Sequence, residues 1–126
     1  MTTALTLTNI SKIFGETRAV DNVSLKIEKG QFIGVIGRSG AGKSTMLRLI
    51  NRLIDPTAGS VAFQGTEITT LKGKQLRTWR RDCAMIFQQF NLVERLDVLT
   101  NVLIGRLAVH GFISSMAMQF TDQERT

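Results

Sequence analysis

Apolar and polar residues alternate from Ala4 to Phe14 and again from Val23 to Ile27, where Val23, Leu25 and Ile27 stand against Ser24, Lys26 and Glu28. A period of two is that of half-buried strands, and two such segments so close in the chain predict an antiparallel pair. "EKGQ" at 28 to 31 then makes a turn, and "FIGVIG" is a short, nearly unbroken apolar run with the composition of a strand covered on both faces. Beyond a glycine-rich stretch, Met46, Leu47, Leu49, Ile50, Leu53 and Ile54 recur at helical spacing, and Pro56 and Gly59 in "DPTAG" are predicted to stop that helix.

"SVAFQG" reads as a further strand, "LKGKQLRTWRRD" as a basic helix or turn, and "CAMIFQQ" as another buried strand. Asp97 is placed to cap a helix whose apolar positions Val98, Leu99, Val102, Leu103 and Leu107 lie three and four apart. The last stretch, "AVHGFISSMAMQFTDQERT", carries no stop signal and reads as if a helix began near Thr121. No internal repeat or low-complexity linker interrupts the pattern.

The totals narrow the class. With 126 residues and 43% apolar content the chain fits one globular domain and argues against disorder. No run of eighteen or more apolar residues occurs, as a membrane span would need, and "MTTALTLTNISKIF" lacks the basic and apolar regions of a secretory signal. Cys83, the one cysteine, forms no internal disulfide; it suits a reducing compartment and reads as a small core residue. The formal charge is +6, and Lys72, Lys74, Arg77, Arg80 and Arg81 crowd together without an intervening acid. That cluster fits either an anionic partner or a solvated helix face. No aromatic signature of RNA binding accompanies it, so no nucleic-acid partner is expected.

The strongest chemical signal lies in "VIGRSGAGKSTMLRLINRL", where Gly37, Gly42, Lys43 and Ser44 satisfy G-x-x-x-x-G-K-[ST] with strand-like residues before and helical ones after. A polyphosphate is best held by several inward-pointing backbone N–H groups. A loop presents them only where side chains leave room, hence Gly37, Gly40 and Gly42. The expected nucleotide-binding stretch is Gly37, Arg38, Ser39, Gly40, Ala41, Gly42, Lys43, Ser44 and Thr45. In it the helix starting near Lys43 adds its free N–H groups and positive end, Lys43 sets a charge against the β- and γ-phosphates, and the Ser44 hydroxyl ligates Mg2+. Thr45 is a further hydroxyl donor. The expected ligand is a nucleoside triphosphate with magnesium; the alternative is a glycine-rich turn that binds nothing.

The succession "LTNISKIFG", "AVDNVSLKIEKGQFIGVIGRSGAGKSTMLRLINRL", "DPTAGSVAFQG" and "AMIFQQFNLVERLDVLTNVLIG" resembles the first part of an ABC transporter ATPase subunit, over nearly the whole chain. "INRLIDPTAG" and "FQQFNLVERLDVLTNVLIGRL" most resemble the ATP-binding subunits of phosphonate importers, a branch that shares much with importers of amino acids or phosphate. The resemblance implies an α/β P-loop NTPase fold with an N-terminal antiparallel β-subdomain, and ATP as the nucleotide. It implies that Phe14 stacks on adenine, where simple strand packing is the other reading. It also implies that Gln88 reaches magnesium and the attacking water, where the residue alone reads as a polar strand end. Phe90, Asn91, Leu92 and Val93 match the groove for a short helix of the membrane partner, or else belong to the core. The implied partners are membrane permease subunits, a second ATPase subunit in a homodimer and, through the complex, a periplasmic substrate-binding protein; the implied place of the chain itself is peripheral, at the cytoplasmic face of the inner membrane.

The pattern also departs from that family. Arg38 stands where relatives often carry proline. No L-S-G-G-Q signature, apolar strand ending in Asp-Glu or switch histidine follows Leu107, and His110 comes too early to be that histidine. The expectation is therefore an N-terminal portion, residues 1–126, that holds nucleotide, is marginal in isolation and does not hydrolyse ATP alone. The rivals are a non-hydrolysing nucleotide-binding module, an inert remnant that never folds, and a P-loop kinase.

Overall fold

The first alternating run forms β1 (Thr3–Phe14), and after a turn at Gly15 and Glu16 the second forms β2 (Thr17–Glu28), paired antiparallel from Thr3↔Glu28 to Phe14↔Thr17. The computed structural model describes residues 3–88 and 92–104. The chain divides into two compact units, Met1–Met85 and Ile86–Thr126. In the first unit β3 (Ala58–Phe63) pairs with the free edge of β1 and β4 (Thr66–Glu67) with β3, so the sheet has the order β2-β1-β3-β4 with every pair antiparallel.

Irregularity in β1 is what builds the core. Leu7 and Ile10 are three apart and would face opposite sides of a regular strand, yet both are fully buried. The register shift between them turns Ile10 to the same side. Asn9 and Asn22, both at positive φ, stabilise the bulge, with Asn9 Nδ2 donating to Asn22 Oδ1 at 2.7 Å. Val20 from β2, Val61 from β3 and Ile68 close around this pair. Helix α1 (Lys43–Ile50) lays Leu49 into the cluster with Met46 and Ile50 beside it. Each fully buried side chain contributes about 1.5–3 kcal/mol.

Helix α1 ends earlier than the proline and glycine signals predict. Arg52 takes a left-handed conformation (φ 56°), its N–H donates to the Leu49 carbonyl at 3.1 Å, and the Leu53 N–H donates to the Arg48 carbonyl at 2.9 Å. Those two bonds make a Schellman stop, usually a glycine's task. Leu53 and Ile54 therefore lie past the helix, and Gly59 falls inside β3. Arg52 is only 7% exposed. Its guanidinium donates to the Ile68 carbonyl at 2.6 Å and pairs with Asp55 at 2.7 Å, so the buried charge is both neutralised and hydrogen-bonded.

The basic cluster is helical, as α2 (Gly73–Asp82), but it is not purely a solvated face. Lys72, Lys74, Arg77, Arg80 and Arg81 are all exposed, but the Arg80 guanidinium also donates to the Arg52 carbonyl. Trp79 Nε1 donates to the Ile50 carbonyl at 3.1 Å, and Asn51 Nδ2 to the Cys83 carbonyl at 2.8 Å. Three side-chain donors thus occupy carbonyls at or just beyond the end of α1 and of α2, groups that helix geometry leaves without partners. Trp79→Phe keeps the ring contact with Phe63 (centroids 5.3 Å apart) and removes one of these bonds. It is expected to lower stability by about 1 kcal/mol in a thermal or urea melt. Cys83 is half-buried and burial pushes its thiol pKa up, as suits a packing residue rather than a nucleophile.

Two predicted strands are not strands. Residues 31–38 and 84–87 take no regular element, and Phe32, Ile36 and Ile86 are 98%, 96% and 98% exposed. A strand needs a neighbour to take its N–H and C=O groups, and these runs pair with none of the four described strands. The antiparallel part of the expected α/β fold is present; among the described residues no parallel strand accompanies it.

In the second unit, α3 (Val98–Ile104) begins where the cap residue predicted it. Asp97 Oδ1 accepts from the Thr100 N–H at 2.8 Å and Oδ2 from the Thr100 hydroxyl at 2.9 Å. These bonds, the backbone one first, hold the Asp97 carboxyl below the usual aspartate value. The unfolded chain then binds the proton more readily, so this contribution is present above the unfolded pKa and is lost as pH falls through the folded one. Acidification through the aspartate range is expected to loosen α3, read by amide exchange at Thr100. Asp97→Asn, which keeps an acceptor but does not titrate, should remove that pH dependence. Gln89, Phe90, Asn91, Leu107, His110 and the rest of the final stretch lie outside the described residues. Among the described residues no helix is long and apolar enough to cross a membrane.

Candidate functional site

The glycine-rich stretch before α1 has one position, Gly42, with no room for a side chain. Gly42, the residue before α1, sits at φ 80°, and a Cβ there would lie 2.0 Å from the Ala19 carbonyl oxygen and 3.5 Å from Val20 Cγ2. Strand β2 therefore backs directly onto the start of the helix. The first α1 bond runs from the Met46 N–H to the Gly42 carbonyl at 2.8 Å, which leaves the N–H groups of Lys43, Ser44 and Thr45 ahead of the helical ladder. No acidic residue occupies the first turn and no side chain caps it, so the positive end of the helix is uncompensated.

Lys43 curls back over the loop. Its Nζ donates to the carbonyls of Gly37 and Arg38, each at 2.7 Å, while the Ala41 N–H closes the turn onto the Arg38 carbonyl at 3.2 Å. An ammonium has three protons, so one remains for an anion. The loop residues Gly37 to Ala41 and the Ser44 side chain are exposed; Lys43 and Thr45 are half-buried. Arg18, Ala19, Asp21, Val35 and Met46 join Gly42 and Lys43 around a cleft of about 260 Å³. Asp21 is the one carboxylate among its described lining residues, and Arg18 holds it at 2.9 Å.

The nine residues from Gly37 to Thr45 thus form one continuous feature. Phe14 is not among the cleft residues. It ends β1, one register pair from the Ile13↔Arg18 pair that adjoins the cleft, with its ring 49% exposed and Lys12 Nζ 5.0 Å from the ring centroid. Gln88 is exposed and belongs to the other unit, as do the exposed Leu92 and Val93. Sequence reasoning missed Arg18, Ala19 and Asp21. No local signal marks them, because they matter only through the packing of β2 against Gly42. The donor set fits an anion with several oxygens: three unspent amides, an ammonium and two hydroxyls. It also offers Ser44 as an oxygen ligand for magnesium.

Known proteins resemble the chain over nearly its whole length. The family model described as ABC transporter matches residues 20–126. The chain is 57% identical to the phosphonates import ATP-binding protein PhnC of Rhizobium meliloti over 119 residues, which is 94% of this chain and 43% of that protein. Among solved structures it is similar to the dimeric bacterial ABC transporter cassette MJ0796, with a TM-score of 0.75 and 34% identity over 96% of this chain and 52% of that one. It is similar also to the post-hydrolysis dimer of the same cassette bound to ADP and Pi, with a TM-score of 0.74, 34% identity and the same two coverages. The chain therefore spans less than half the length of the curated relative and about half of the cassette.

Proposed function

Since the chain belongs to the ABC transporter family, we propose that it is the nucleotide-holding portion of an ATP-binding subunit whose ATP hydrolysis drives import of a phosphonate or a related anion. The observation that carries this reading is the loop itself: Lys43 hooked onto the Gly37 and Arg38 carbonyls beneath three free helix-end amides. In that reading Gly37 to Thr45 wrap the triphosphate, Lys43 meets the outer phosphates, and Ser44 holds Mg2+, which neutralises charge on the phosphates when bound. Phe14 offers its exposed ring to adenine, a contact of about 1–3 kcal/mol. Gln88 is assigned to water and magnesium by the family resemblance alone.

Identity to a phosphonate import protein supports the substrate class. The dimeric cassettes among the similar structures support a second copy as partner. Permease subunits, a periplasmic binding protein and a place at the cytoplasmic membrane face follow from the importer role. Nucleotide binding without turnover by these residues is the second reading. It rests on the absence of a free carboxylate from the described lining of the cleft, Asp21 being tied to Arg18.

A competition experiment tests the site. With magnesium ATP bound to the chain, inorganic tripolyphosphate should displace it and adenosine should compete far more weakly, because the cup addresses phosphate oxygens. Displacement by adenosine but not by tripolyphosphate would overturn the assignment. ATP turnover by the full-length subunit would favour the importer reading, and nucleotide binding without turnover by that subunit the binding-only one.

A further inference from the structure

A second groove, of about 490 Å³, lies between the β3–β4 hairpin and α2. None of its lining residues belongs to the cleft at the phosphate loop. Its floor is apolar: Ile68, Leu71, Phe63 and Trp79. The two rings meet at 5.3 Å and 50°, and the indole is fixed in place by its bond to the Ile50 carbonyl. That makes a rigid aromatic wall rather than a collapsible gap. Lys74 stands at the rim. It is exposed and forms no ion pair among the described residues, whereas Asp82, the lining carboxylate, is engaged by Arg81 at 3.2 Å. Gln64, Gln75 and Thr78 add neutral donors and acceptors. The volume and the mixture of apolar floor with few polar groups are those of small-molecule sites.

We propose that this groove is a ligand site separate from the phosphate loop, and that it takes a flat aromatic anion laid on Phe63 and Trp79 with its charge at Lys74. The aromatic wall selects a planar ring, by area burial and offset stacking. The field selects the sign: Arg81 offsets Asp82, and Lys74 is left with Lys72 and Arg77 as exposed cations on the same stretch. An apolar neutral ligand would leave Lys74 unused, and a cation would meet Lys74 at the rim and find Asp82 already paired with Arg81.

Trp79 is the one tryptophan of the chain, so its indole N–H gives a single signal in a proton–nitrogen correlation spectrum. Naphthalenesulfonate is the probe, with naphthol as its uncharged counterpart. Titration of the full 126-residue chain with naphthalenesulfonate should shift the indole signal saturably at roughly millimolar concentration. Lys74→Glu, a change at an exposed position that leaves the spectrum otherwise dispersed, should weaken binding by about tenfold. Lys74→Arg should retain it, and Lys43→Ala should leave it unchanged. Three results would each overturn the proposal: no saturable shift, equal affinity for naphthol and naphthalenesulfonate, or parent-like binding by Lys74→Glu.

Discussion

Magnesium ATP is expected to bind Lys43→Ala about ten- to a hundredfold more weakly than the parent chain, since a charge-assisted bond is worth about 1.5–3 kcal/mol and each 1.4 kcal/mol is tenfold. The geometry sets this apart from a general loss of positive charge. Two protons of the ammonium are already held by the carbonyls of Gly37 and Arg38, so the third is aimed by the loop rather than by a flexible stem. Lys43→Arg is expected to recover only part of the affinity, because a planar fork does not reproduce a compact charge gripped by two carbonyls. Isothermal titration reads both variants. A thermal melt supplies an independent check: at a hundredfold excess over Kd, nucleotide should stabilise the parent by about 2.7 kcal/mol and the alanine variant far less. Equal affinities for parent and Lys43→Ala would detach the loop from the nucleotide.

Gly42→Ala should be more damaging to the fold than any other change in the loop. Alanine in the left-handed region costs about 1–2 kcal/mol. Here the added methyl also falls 2.0 Å from a backbone oxygen of β2, where no side-chain rotation relieves it. With a further 1–3 kcal/mol for the forced displacement, the expected destabilisation is about 2–5 kcal/mol, read as a Tm drop of more than about 10 °C. Gly40→Ala is the matched control. Its φ of 79° is nearly the same, but no atom lies within 4 Å of the added Cβ, so only the conformational cost should appear. If the two variants melt together, the close approach of Ala19 to Gly42 is wrong.

The elements that were legible in advance are those whose signal is local. Alternation marked β1 and β2, helical spacing after Gly42 marked α1, the Asp97 side chain marked the start of α3, and the glycine–lysine–serine spacing marked the loop. Each is decided by residues within one or two turns of one another, so the chain's order alone carries it. The same logic misread the end of α1, because it looked for glycine and proline while an arginine took the left-handed position. Arg52 does so with its guanidinium anchored to Ile68 and Asp55, from segments up to sixteen residues away. Arg80 likewise reads as one cation in a solvated row until the Arg52 carbonyl is placed against it.

By itself, then, the order of residues determined the strand pair, the position of the glycine-rich loop before α1 and the donor groups its side chains carry, since propensity, spacing and charge act over a few residues. Tertiary packing decided the rest. It put the Ala19 carbonyl behind Gly42 and so makes glycine obligatory there. It joined the ends of α1 and α2 through Trp79, Arg80 and Asn51. It also left the strand-like runs at 32–37 and 84–87 without an element, because a strand exists only where another strand supplies the opposite half of its hydrogen bonds.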